Sequence, residues 1–126
     1  MRHALATAAA LLAISAIAAS PAMAGDPVHG KAVFSQQCAV CHSSARGGPT
    51  ILGPTLFGVV GRPAGSVKGY TYSAAMKAVG GAWSAERLHD YLPAPSKMVP
   101  GNKMPYGGLK NPAQLDDLIA YLSTLK

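Results

Sequence analysis

Aromatic side chains are few: one Trp, five Tyr and two Phe among 126 residues. A single domain of about this length buries only roughly 60–70% of its unfolded surface. So thin a supply of large apolar side chains points to something besides side chains at the centre of the fold. Cysteine is scarcer, with two residues. That excludes a disulfide framework, and with His29 and His89 as the free histidines a four-ligand zinc site is excluded too. Acids number five against eleven Lys and Arg, for a net charge of +6. Nowhere do apolar residues alternate long enough for sheet strands, and there is no internal repeat or low-complexity tail.

Long hydrophobic runs are also missing. The longest, Ala8–Ala19, is broken only by Ser15 and is too short to cross roughly 30 Å of hydrocarbon. It follows Arg2 and His3 and precedes Ser20-Pro21 and Ala22-Met23-Ala24, the order of parts of a secretory signal peptide with a small-x-small cleavage site. Residues 1–24 are therefore expected to be cleaved, and residues 25–126 to form one exported, soluble domain. Part of the chain's 49% hydrophobic content lies in the leader.

What is present in abundance is glycine and proline, 14 and 10 residues. They crowd Ser43–Tyr70 and Pro93–Gly108, predicting two long ordered loops of the kind that wrap around something. Helices are predicted around them. Asp26-Pro27 caps one running over Val28, Ala32, Val33 and Phe34 toward Cys38. Short helices are expected at Ser73–Val79 and Ser84–Leu92. Asn111-Pro112 opens the last, with Gln114 at its third position and Leu115, Leu118, Ile119, Leu122 and Leu125 on one face.

The two cysteines stand as Cys38-Ala39-Val40-Cys41 with His42 next. A disulfide across so small a loop constrains little of the unfolded chain. A thioredoxin-like pair, the basis for reading a thiol oxidoreductase, would need a βαβ setting that the chain lacks. The remaining reading is covalent haem attachment, whose signature is C-x-x-C-H. Two thiols at this spacing each add to one haem vinyl group, and the following histidine is held under the iron. A methionine opposite would raise the potential and close the iron to small molecules. Met76 falls in a short helix and reads as core filler; Met98 and Met104 share the second loop. Gly101, Pro105 and Gly107-Gly108 around Met104 favour it over Met98.

The mature chain resembles the class I c-type cytochromes, the mitochondrial cytochrome c and its short bacterial periplasmic relatives. The resemblance rests on "GKAVFSQQCAVCH" at 30–42, "GPTLFGVVGR" at 53–62, "GYTYSAAMK" at 69–77, "WSAERLHDYL" at 83–92, "VPGNKM" at 99–104 and "LIAYL" at 118–122. It implies an all-α cytochrome c fold, with short helices and long loops wrapped around one covalent haem. It further implies Cys38 and Cys41 as thioether links, His42 and Met104 as axial ligands, and the Pro54 carbonyl as acceptor of the histidine N–H. Arg62, Tyr72 and Trp83 match positions near the haem propionates, Tyr91 the tyrosine beside the ligand methionine, and Gly30, Phe34 and Tyr121 a contact between first and last helices. Two departures stand out: Met76 replaces a frequent asparagine, and Gln37, Ser96 and Asn111 occupy places in a ring of lysines of which Lys97, Lys103 and Lys110 remain.

The function expected is that of a monomeric periplasmic carrier of single electrons, not an enzyme. It would meet membrane or periplasmic redox proteins through the lysine-bearing haem edge, without binding nucleic acid or inserting into a membrane. The alternative is a haem enzyme or gas sensor with a labile distal position near Met76.

Overall fold

In a computed structural model, residues 25–126 and the single position 16 are described; the expected leader, 1–24, otherwise lies outside the described residues. Five helices follow in order: α1 (Pro27–Gln37), α2 (Ala74–Ala78), α3 (Ala85–Tyr91), α4 (Pro95–Met98) and α5 (Pro112–Ser123). Four begin on the side chain of the residue before them. The Asp26 carboxylate accepts from the Val28 N–H, Ser73 from Met76, Ser84 from Arg87 and Asn111 from Gln114, each satisfying an amide that has no partner within its helix.

The central packing is α1 against α5. Gly30 sits at their crossing, where an added Cβ would lie 1.8 Å from the Asp117 carbonyl oxygen and 2.8 Å from the Tyr121 Cβ. Glycine within a helix costs about 1 kcal/mol relative to alanine, and here it allows the two backbones to touch. One turn on, the Phe34 ring meets Tyr121 at 5.6 Å between centroids. Leu118 and Ile119 are each 1% exposed, and α3 brings Leu88 against the same face of α5. Val28 and Ala32 of α1 face outward, and Val28 is 75% exposed. The buried stripe of α1 is Gly30, Val33 and Phe34. Leu125 lies just past the end of α5 but keeps its place in the core.

The long loop before α2 is ordered by backbone hydrogen bonds to distant segments. Leu56 N–H donates to the Ser43 carbonyl and Gly58 N–H to that of Leu125, both at 2.8 Å. Gly61 and Trp83, then Trp83 and Arg62, exchange further bonds, beside the isolated antiparallel bridge Pro63–Ala82. No strand forms among the described residues, as the sequence predicts.

The second loop departs from expectation. Pro93–Gly108 is not irregular throughout, because Pro95 begins the single turn α4. Two prolines in succession read as a loop, yet one of them occupies the first helical position, where its fixed φ favours the turn and its missing N–H costs nothing. Beyond α4 the chain returns to the end of α3, where Leu109 N–H donates to the Leu92 carbonyl at 2.9 Å.

Candidate functional site

The end of α1, both loops and the inner faces of α2 and α3 surround a mostly apolar cavity. All nine residues expected around a cofactor line it: Cys38, Cys41, His42, Pro54, Arg62, Tyr72, Trp83, Tyr91 and Met104.

On one wall, Cys38 and Cys41 follow the last turn of α1, and the N–H groups of Cys41 and His42 both donate to the Cys38 carbonyl. This tight turn presents two thiols and an imidazole to the same space. The His42 ring lies against Gly53, where a Cβ would come within 2.5 Å of Cε1. Its Nδ1–H donates to the Pro54 carbonyl at 2.6 Å. Since a carbonyl can only accept, the proton belongs on Nδ1, and Nε2 is left as the lone-pair nitrogen that a metal requires. Burial, with a further contribution from the Arg62 charge, holds the imidazole below its ordinary pKa, against the opposing effect of the Pro54 bond, so the neutral form is favoured.

The thiols are equally informative. Burial, helped by the neighbouring Cys41, pushes the Cys38 pKa up to about 11. A thiol exchange enzyme needs a thiolate near neutral pH. The environment of Cys38 disfavours one, and the two cysteines are not joined in a disulfide.

The lining also includes two methionines. Met104 lines the cavity, and so does Met76 from α2, which its helix pattern marked as core filler and the resemblance placed near the distal side. Met98 does not: α4 turns it outward, 51% exposed. Asn102 fixes the approach to Met104 by accepting the Met104 N–H on Oδ1 at 2.9 Å. Its Nδ2 is buried with no partner in the protein. An unsatisfied buried amide within a cavity wall is costly unless a bound group meets it.

Arg62 donates to the Phe57 carbonyl at 3.0 Å, and burial lowers its pKa. No acidic residue lines the cavity, so its cationic lining residues, Arg62 and Lys103, suit a ligand that brings carboxylates. Tyr72 receives the Val67 N–H on its hydroxyl at 3.1 Å. Trp83 is 7% exposed and packs on Tyr91 at 4.8 Å between ring centroids. Burial, with Tyr70 nearby, raises the Tyr91 pKa to about 12.

Of the expected docking lysines, Lys103 alone touches the cavity. It donates to the Thr71 carbonyl at 2.6 Å and lies over the Tyr70 ring. Lys110 donates to the Pro93 carbonyl, and Lys97 projects from α4 into solvent. Sequence reasoning missed Tyr70, Asn102 and Tyr106 as lining residues. Asn102 and Tyr106 flank Met104 closely, and that proximity was the available signal.

An apolar cleft lined by two thiols, a nitrogen ligand, thioethers and cations with no acidic neighbour in the lining fits a covalently held haem. The sequence matches the family described as Cytochrome c over residues 27–126. It is 46% identical to a cytochrome c2 of Agrobacterium tumefaciens (strain II Chrys), covering 78% of this chain and 90% of that one. A cytochrome c2 of Rhodopila globiformis is likewise 46% identical, over 81% and 95% of the two chains. A cytochrome c of Guizotia abyssinica matches at 46%, over 80% and 91%. The chain belongs to the cytochrome c family, as a class I c-type cytochrome. Such a protein is an electron carrier and not an enzyme, and its haem c is bound covalently through two cysteines.

Proposed function

We propose that the chain is an exported one-electron carrier in which Cys38 and Cys41 hold the haem, and His42 and Met104 are the axial ligands. Bound haem supplies a reversible ferrous/ferric couple. The observation that carries the reading is the His42 Nδ1–Pro54 bond, which frees Nε2 toward a space that Met104 also lines. The family motif Pro-Gly-x-Lys-Met, present as Pro100–Met104, supports Met104 over Met76. Ligation on both faces leaves no open position and disfavours chemistry on oxygen or peroxide.

Arg62, Tyr72 and Trp83 are assigned to the haem carboxylates, since buried carboxylates need charged or hydrogen-bonding partners. Tyr91 is assigned to the side of the ligand methionine. Residues 1–24 direct export to the periplasm and are removed, leaving a soluble monomer; among the described residues no helix is long and apolar enough to cross a membrane. Lys97, Lys103 and Lys110 supply positive charge that steers redox partners, an attraction that weakens with salt.

Absorption spectroscopy of the ferric protein tests the ligand set. Met104→Ala should abolish the methionine–iron charge-transfer band, whereas Met98→Ala and Met76→Ala should keep it. Loss of the band in Met76→Ala alone would overturn the assignment. Ready binding of carbon monoxide by the unmodified ferrous protein would favour the haem-enzyme or gas-sensor alternative.

A further inference from the structure

Residues 25–126 carry sulfur at Cys38, Cys41, Met76, Met98 and Met104. All of these line the haem cavity except Met98. Met98 is the last residue of α4, is 51% exposed, and belongs neither to the core nor to the side chains packed against it. It borders a second cleft, together with Val79, Trp83, Arg87, Tyr91 and Val99. One thioether is thus held out in solvent while every other sulfur faces the cofactor's space.

Oxidation would mean different things at these positions. It turns a flexible apolar thioether into a polar, chiral sulfoxide that disrupts packed surroundings. Within the cavity, Met104 would lose the sulfur assigned to iron, and Met76 would add a polar oxygen to a mostly apolar lining. At Met98 the new oxygen reaches water, so the change costs little. The same cleft also holds a donor for it. Arg87 gives N–H bonds to the Val79, Gly80 and Ala82 carbonyls, and a guanidinium has further donors to offer.

We propose that Met98 is a sacrificial and renewable oxidation site, which takes up electrophilic oxidants of the hypohalous acid class before they reach the thioether of Met104. The proposal rests on the reading of Met104 as an axial ligand. A ligating sulfur has one lone pair engaged by the metal, whereas both pairs of the Met98 sulfur are available and exposed. With hypochlorous acid, the sulfur lone pair attacks chlorine, the O–Cl bond breaks and hydroxide leaves. Water then adds to sulfur, chloride departs and two protons are lost. Sulfur is oxidised by two electrons to the sulfoxide, and chlorine is reduced to chloride. Exposure of the side chain also admits the methionine sulfoxide reductases, one enzyme for each epimer, that restore the thioether.

The test titrates the ferric holoprotein with hypochlorous acid up to about one equivalent. Peptide mass spectrometry locates the added oxygen, and the methionine–iron charge-transfer band follows Met104. Met98 should carry most of the oxygen while the band is retained. Met98→Leu keeps the apolar bulk and removes the sulfur. In that variant the oxidant needed to bleach half of the band should fall about twofold. Treating the oxidised parent with both reductases should return the Met98 peptide to its original mass. Oxygen found first at Met76, Met104 or the haem-linked cysteines overturns the proposal, as does a Met98→Leu dose curve that matches the parent. A Met98 sulfoxide that neither reductase repairs overturns the renewable site. Absence of the band before any oxidant is added would instead remove the ligand reading on which the proposal stands, a failure that the oxygen map cannot produce.

Discussion

The α1–α5 pair and the loop cradle are held together by different means. Between the helices, contact is backbone on backbone at Gly30 and mostly apolar elsewhere, with Leu118 and Ile119 all but inaccessible and polar contacts confined to the start of α1, where the Asp26 N–H and His29 meet the Asp117 carboxylate. In the cradle, single hydrogen bonds join residues far apart in sequence: Gly58 to Leu125, Gly61 to Trp83, Leu109 to Leu92 and Lys103 to Thr71. The first region buries area, and a close-packed interface tolerates almost no added volume. The second fixes directions, which suits a surface that must aim ligands at a cofactor rather than fill space itself. Damage to the pair should therefore appear as lost stability, and damage to the cradle as an altered site in a protein that still folds.

Gly30→Ala is the sharpest way to break that contrast. The new methyl would meet the Asp117 carbonyl at 1.8 Å, and backbone cannot yield there without separating the helices. We expect a loss of about 3 kcal/mol or more, or roughly 12 °C or more in Tm for a domain of this size. The molecules that remain folded should keep an unaltered ligand spectrum. A Tm within a few degrees of the parent would contradict the close approach of α1 to α5.

Next in size is an alkaline effect centred on Tyr91. Its folded pKa, about 12, lies above the ordinary tyrosine value near 10 because burial penalises the phenolate. The native state thus holds the proton longer than the unfolded state. The contribution is complete below about pH 10 and is lost as pH rises toward about 12, by about 2 kcal/mol. Denaturant midpoints measured across this window should fall less steeply in Tyr91→Phe than in the parent. Parallel curves would show that burial does not shift this phenol.

Gly53→Ala probes the cradle directly, since its Cβ would press on His42 Cε1 from 2.5 Å. A loss of about 1–2 kcal/mol is expected. The more telling readout is spectral, because the ring must tilt and weaken its bond to Pro54. A changed Tm with an unperturbed absorption spectrum would show that the ring accommodates the methyl without turning. The smallest effect belongs to Gln37→Ala, which removes an exposed hydrogen bond from Tyr106. Stability should move by no more than about 0.5 kcal/mol, as a melting curve can verify.

Much of the helical framework was legible because its signals are local. Asp26-Pro27, Ser73, Ser84 and Asn111-Pro112 each supply a cap that works within one turn, and the period of Leu115, Leu118, Ile119 and Leu122 marks a buried face. The turn α4 escaped notice because a proline that starts a helix and a proline that interrupts one have the same local appearance. The inward face of α1 was hard to read for a related reason: its buried stripe includes Gly30, a residue with no side chain, and hydrophobic periodicity cannot register it.

The spacing Cys38-x-x-Cys41-His42 determined by itself that two thiols and an imidazole would share one turn, since bond lengths and backbone geometry leave little freedom over five residues. Tertiary structure decided what shares the cavity with them. It turned Met98 to solvent and set Met104 and Met76 on the cavity wall, and it put the Pro54 carbonyl within 2.6 Å of His42 Nδ1. It also brought Val40 and Lys103, far apart in sequence, to the same cavity. These arrangements join residues from separate loops. Which atoms meet across a cavity depends on how the whole chain closes, and no local pattern encodes that closure.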